Sequence, residues 1–208
     1  MAKTKTETKS KTREITWEKV FPYILVIGSL IGLYASGVLT VDKIKLAGDA
    51  GFHPNCNLNP IFSCTSVMKS IEASAFGFPN VIIGLAGFGV TLTVGMAIFA
   101  GANFKRWFWL GLEAGTIFGL IFVHWLFYHT VYDIRALCIY CMIIWSVTIP
   151  MFWYTTLYNI KQKVITLPKS WKKVQDFAFS NHLGVLLLWY MLIAGLILKH
   201  FWYFFGPK

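Results

Sequence analysis

The sequence predicts an all-α integral membrane protein: a bundle of transmembrane helices, five in all, with the N-terminus inside and the C-terminus outside. Three observations carry this reading. Of 208 residues, 56% are hydrophobic and 13% are charged, where a soluble domain carries about a quarter charged. The apolar residues collect into five runs, each near the roughly 20 residues that cross a bilayer. The 19 Lys and Arg, against 9 Asp and Glu, concentrate on one set of connections. A disordered chain, a secreted mini-protein and an ordinary soluble enzyme are excluded.

The runs justify helices at about 21–41, 81–102, 107–128, 136–158 and 183–205. Phe21–Val41 contains no charge. Ala35-Ser36-Gly37 resembles a signal cleavage site. The run is nevertheless longer than the ~7–15 apolar residues of a signal peptide, which predicts a retained span. Val81–Ala102 is also uncharged, and Trp107–Tyr128 holds Glu113 and His124. Ala136–Tyr158 has no Asp, Glu, Lys, Arg or His. The last run, Leu183–Leu198, is followed by Lys199, which can snorkel, and by the aromatics of Phe201–Phe205. Residues 1–19 then form a basic tail, expected to be disordered near anionic lipid, and residues 20–205 one membrane domain.

Orientation follows from the basic residues. Lys3, Lys5, Lys9, Lys11, Arg13 and Lys19 share one side with Lys105, Arg106, Lys161, Lys163, Lys169, Lys172 and Lys173. That side is read as cytoplasmic, so the net charge of +10 marks topology and not a nucleic-acid partner. Trp17, Trp107, Trp109, Trp171 and Trp202 fall near the predicted membrane edges, as belt aromatics do.

This topology puts every cysteine on the outer side, where disulfides persist. Cys56 and Cys64 lie in the outer connection 42–80, and Cys138 and Cys141 at the outer start of the fourth helix. Cys138-Ile139-Tyr140-Cys141 places two sulfurs on one helix face. A helix N-terminus stabilises a thiolate there, which suits redox exchange. The alternatives are two inert cysteines, or a metal site completed by two of Cys56, Cys64, His53, His124 and His129. The loop pair is either one half of a relay or a structural disulfide pinning the loop. After it, Val67, Met68, Ile71 and Ala75 recur at helical spacing. They predict a short amphipathic helix over the bundle, capping a pocket or simply lying at the interface.

The spacing Cys56-x7-Cys64 with Ser63 before the second cysteine, the stretch Ser74-Ala75-Phe76-Gly77-Phe78-Pro79-Asn80, and Leu137-Cys138-Ile139-Tyr140-Cys141 together resemble the vitamin K epoxide reductase family. Phe122-Val123-His124-Trp125-Leu126 and Arg135-Ala136-Leu137-Cys138 look most like its actinobacterial branch. The resemblance covers about residues 20–160. It implies four helices around a quinone, plus a fifth. It also implies roles for the cysteines. Cys56 exchanges with a thioredoxin-like partner, Cys64 resolves it and exchanges with Cys138, and Cys141 faces the quinone. Bacterial members commonly reoxidise a partner that makes disulfides in exported proteins, whereas animal members reduce vitamin K epoxide. Three departures stand out. Only Gly206-Pro207-Lys208 follows the last aromatic run, so the expected partner is a separate, DsbA-like protein, secreted or anchored. Ala73 stands where the animal proteins have a quinone-holding Asn, and Trp145 where they have a Tyr. Both argue against epoxide chemistry.

A quinone site needs an apolar concavity with few donors. Phe76, Phe78, Asn80, Trp125, Tyr140 and Trp145 are the candidates, each with a plain packing alternative. Asn80 could donate to a ring oxygen or cap the second helix. Glu113 lies far from the cysteines, and His124 is nearer; for both, a structural hydrogen bond competes with a role in proton supply. The expected function is thus a thiol–quinone oxidoreductase of a bacterial plasma membrane, its active site extracytoplasmic. Menaquinone is the expected acceptor, membrane lipid surrounds the protein, and no metal is expected. The alternatives are a quinone-epoxide reductase and a non-enzymatic scaffold or metal carrier.

Overall fold

A computed structural model describes residues 4–49 and 51–205, with side chains from residue 19 to residue 204. The protein is all-helical. Helices α1 (Thr4–Gly48), α3 (Val81–Phe99), α4 (Arg106–His129), α5 (Ile139–Lys161) and α7 (His182–His200) are joined by shorter pieces. These are α2 (Cys64–Lys69) and α6 (Lys172–Ser180), and α8 (Trp202–Phe205) follows α7. Among the described residues, five helical stretches are long and apolar enough to cross a membrane, beginning with Lys19–Gly48. The chain is therefore a multi-pass membrane protein. One end of the bundle carries the cysteines and the other the basic connections.

Element boundaries shift for identifiable reasons. The first helix runs past residue 41 to Gly48, because Leu46 is buried and Lys43 Nζ donates to the Met68 carbonyl. It also continues back to Thr4 through residues expected to be disordered; extending an existing helix needs no new nucleus. Residues 1–3 of that tail lie outside the described residues. The second span stops at Phe99, ahead of Gly101 at φ +81°. The third extends through His129 into a wide turn, Thr130–Ile134, closed by Arg135 in the left-handed region at φ +55°. Residues 136–138, expected to be helical, are extended, because Leu137 bridges to Phe62. The last run breaks at Phe201, between α7 and α8. Helix α6 lies in the basic connection between the fourth and fifth apolar runs. It turns Val174 and Phe177 outward beside Lys172 and Lys173, in the manner of an interfacial helix. Trp109, expected in the belt, is buried against Phe21 and Tyr158.

Helix α1 is the centre of the bundle, packing on α3 and α5, while α4 packs on α5. Small residues let α1 and α3 approach closely. Ser29 Oγ and Thr91 Oγ1 share a buried hydrogen bond of 2.7 Å. A Cβ at Gly32 would lie 2.5 Å from the Phe88 ring. Between α4 and α5, Glu113 is buried and accepts from Thr156 Oγ1 at 2.6 Å and Asn159 Nδ2 at 2.7 Å. Helix α7 docks through polar contacts. Trp189 Nε1 donates to His124 Nε2 at 3.0 Å, and the Tyr190 hydroxyl to the Ser146 carbonyl at 2.5 Å. Helices α3 and α4 barely touch.

Replacing Glu113 by Ala takes an acceptor from Thr156 and Asn159, which keep only their longer bonds to the Phe152 and Trp109 carbonyls at 3.1 and 3.4 Å, and we expect a loss of about 2 kcal/mol. Glu113→Gln should stay within about 1 kcal/mol, because Asn159 Oδ1 has no partner and can accept from the new amide once the Asn159 amide turns over. Thermal unfolding in detergent measures both.

Candidate functional site

The loop after α1 is ordered by its own asparagines. Asn57 Nδ2 donates to Thr65 Oγ1 at 2.7 Å, and Asn57 Oδ1 accepts from the Thr65 amide at 3.1 Å. Asn59 Oδ1 accepts from the amides of Ile61 (3.0 Å) and Phe62 (2.8 Å), an Asx turn. Ser63 caps α2, accepting from the Ser66 amide. Cys64 thereby becomes the first residue of a short helix whose buried face is Cys64, Val67 and Met68.

Two backbone bonds tie this loop to the start of α5. The Leu137 amide donates to the Ile61 carbonyl at 2.6 Å, and the Ser63 amide to the Leu137 carbonyl at 3.0 Å. Cys64 and Cys138, each adjacent to a bonded residue, meet as a result. Cys56 and Cys64 form a disulfide, while Cys138 and Cys141 are free. The Cys138 thiol donates to Cys64 Sγ at 3.2 Å, with both sulfurs fully buried. Cys138 is the N-cap of α5. Its thiol is held below the ordinary value, first by a hydrogen bond with Cys141 and then by the amides of Cys141 and Tyr140, against the opposing effect of burial. A thiol so placed, touching one sulfur of a disulfide, is positioned for exchange.

Behind the sulfurs lies a cavity of about 630 Å³ in the gap between α3 and α4. Cys138, Cys141, Val67 and Met68 close it at the cysteine end, and it reaches Trp107 and Phe108 near the basic end. Its walls are apolar. The hydroxyls of Thr91, Thr116 and Thr148 each donate to a carbonyl of their own helix. Gly87, Gly111 and Gly115 also line it, and a Cβ at any of them would meet nothing within 4 Å.

Of the six residues expected at a quinone, Asn80 and Trp145 line the cavity. The Asn80 side chain neither caps α3 nor points freely inward: it donates to the Glu72 carbonyl at 2.5 Å and accepts from the Ala75 amide at 3.1 Å. Phe76 and Trp125 stand one layer out, packed on the lining residue Phe122 at ring distances of 5.5 and 5.8 Å. Phe78 lies beyond Phe76 at 6.3 Å. Tyr140 packs beside the sulfurs instead. Sequence reasoning missed Phe118 and Phe122 in the wall and the spacing Gly111-x3-Gly115-x3-Gly119, which puts three glycines on one helical face toward the cavity. His124 is held by the Leu120 carbonyl at 2.8 Å and by Trp189, and does not line the cavity. Among the described residues no three His, Cys, Asp or Glu side chains gather as a metal site.

A buried thiol against a disulfide, at the closed end of an apolar cavity between membrane-crossing helices, is the arrangement of a membrane thiol oxidoreductase. Residues 23–156 match the vitamin K epoxide reductase family, and the chain belongs to it. The matched region takes in the membrane-crossing part of α1, then α3, α4, most of α5 and all four cysteines. No curated protein matches the chain. Family membership makes this an oxidoreductase that links thiol chemistry to a quinone or quinone epoxide. The apolar, glycine-widened cavity fits such a molecule.

Filling the cavity should separate quinone use from folding. Gly115→Leu projects into open space, so its unfolding temperature should match wild type. Its KM for a long-chain quinone should rise about tenfold or more, roughly 1.4 kcal/mol of lost binding. Steady-state kinetics over a quinone series reads the effect.

Proposed function

We propose that this protein reoxidises a separate thioredoxin-like, DsbA-like partner and passes the electrons through two cysteine pairs to a quinone, menaquinone being the expected acceptor. The activity supports disulfide formation in exported proteins. The protein sits in a bacterial plasma membrane with the cysteine end extracytoplasmic and residues 20–205 as one membrane domain. The observation that carries this reading is the 3.2 Å contact between Cys138 Sγ and Cys64 Sγ, with Cys141 lining the cavity.

A partner dithiol reduces Cys56–Cys64. The Cys64 thiolate attacks Cys138 of a Cys138–Cys141 disulfide, and Cys141 leaves as a thiolate. The Cys56 thiolate then attacks Cys64, closing Cys56–Cys64 and releasing Cys138. Two thiols have become a disulfide while one disulfide has become two thiols. The arrangement described above, with Cys56–Cys64 closed and Cys138 and Cys141 free, corresponds to the state after this transfer. A bound quinone supplies the two-electron, two-proton acceptor. Cys141 faces it, Phe118 and Phe122 hold an apolar ring, and Val67 and Met68 of α2 shut water out from above. Ala73 and Trp145 both line the cavity, and neither supplies the amide or hydroxyl that the animal proteins have there. This favours quinone over epoxide as the substrate.

Cys141→Ala should lower quinone-dependent oxidation of a reduced thioredoxin-like substrate by ~10³-fold or more, as expected for a group that acts as one unit with Cys138. Retained activity would overturn the assignment. The same preparation given a quinone epoxide and a dithiol should turn over no epoxide; turnover would move the protein to the epoxide-reducing class.

A further inference from the structure

The end of α7 reaches the sulfur site from outside the family-matched region. Phe201 has no exposed surface. It completes a cluster with Ile61, Val131 and Leu137, flanked by Phe62 and Met142. Two of these residues form the bridge between the cysteine segments. Ile61 and Leu137 are hydrogen-bonded to each other; Leu137 directly precedes Cys138, and Ile61 lies three residues before Cys64. The same end of α7 is fastened to the turn after α4, where the His200 ring packs edge-on to Tyr132 at 5.0 Å. Phe201 still donates its amide to the Ile197 carbonyl at 2.9 Å before the chain turns into α8, so its position is set by α7.

A bridge of two hydrogen bonds is not a sheet, and short isolated strand pairs are marginal without an apolar backing. Phe201 supplies that backing. We propose that Phe201 is a positioning residue for transfer between the cysteine pairs: by packing on Ile61 and Leu137 it keeps Cys64 and Cys138 within exchange distance. This rests on the relay proposed above. The step concerned is attack of the Cys64 thiolate on Cys138, in which the Cys138–Cys141 bond breaks, the Cys64–Cys138 bond forms and Cys141 carries away the electron pair.

The test needs neither quinone nor partner. In full-length protein carrying Cys56→Ser and Cys141→Ser, the Cys64–Cys138 disulfide is equilibrated against glutathione and quantified by differential alkylation and mass spectrometry. The ratio gives the effective concentration of one thiol at the other. It should fall about tenfold in Phe201→Ala and about threefold in Phe201→Leu, following the apolar volume removed. The Cys56–Cys64 disulfide, measured in Cys138→Ser/Cys141→Ser protein, should stay within about twofold, because its two ends belong to one loop. An unchanged Cys64–Cys138 value, or equal loss of both disulfides, overturns the proposal. Should the alanine variant not fold, Phe201→Leu decides by the same two readings. The relay itself stands or falls on Cys141→Ala with Phe201 intact, so the two failures are told apart.

Discussion

Two backbone hydrogen bonds, from the Leu137 amide to Ile61 and from the Ser63 amide to Leu137, set the geometry on which the site depends. They form the isolated bridge that pairs Phe62 with Leu137. If α5 began at residue 136, as its apolar pattern suggests, Leu137 would spend its carbonyl on its own helix and the loop would have nothing to bond. Starting α5 at Ile139 makes Cys138 an N-cap. Its sulfur then lies among unpaired helix amides and beside Cys64 at once. One local choice of backbone state thus supplies both proximity and thiolate stabilisation.

The cavity has a different origin. Small residues at Ser29, Gly32 and Ser36 draw α3 tightly onto α1, while α5 occupies another face of α1 and carries α4. Helix α4, held to α5 by Glu113 with Thr156 and Asn159, has no matching tie to α3. Where Gly111 and Gly115 could have served as a close-packing seam, they face open space instead. In lipid there is no general hydrophobic drive to close such a gap. Its width is fixed by the contacts that hold the helices elsewhere.

The membrane character, the five crossings and the gathering of the four cysteines at one end of the bundle are legible in the sequence, because span length and charge are one-dimensional properties. Contacts that need the third dimension are not. Asn80 reads as a cap or a ligand donor, yet both its polar atoms serve the turn at Glu72–Ala75, which no spacing rule announces. Trp125 and Phe76 read as pocket aromatics because they lie near the right depth, while rotation about the helix axis puts Phe122 in the wall and them behind it. Glu113 and His124 show only that a polar group sits in a span. Their partners, Thr156, Asn159 and Trp189, lie 43, 46 and 65 residues away. Phe201 reads as one of the aromatics that continue the last run and is among the most buried of the described residues.

The loop carrying Cys56 and Cys64 is clamped by Asn57, Asn59 and the bridge. This divides the proposed relay into two unlike exchanges. The internal one, between Cys64 and Cys138, has its two sulfurs 3.2 Å apart, so one S–S bond can replace another without moving a covering segment. The external one must reach Cys56, which is 4% exposed in a cluster with Leu46 and Phe52, the latter under the Lys45 ammonium. A partner sulfur cannot approach Cys56 without displacing that covering segment. Burial therefore falls on the step that chooses the partner, and proximity on the step that does not. An ambient thiol that binds nowhere has no contact energy with which to uncover Cys56, whereas a docked protein partner does.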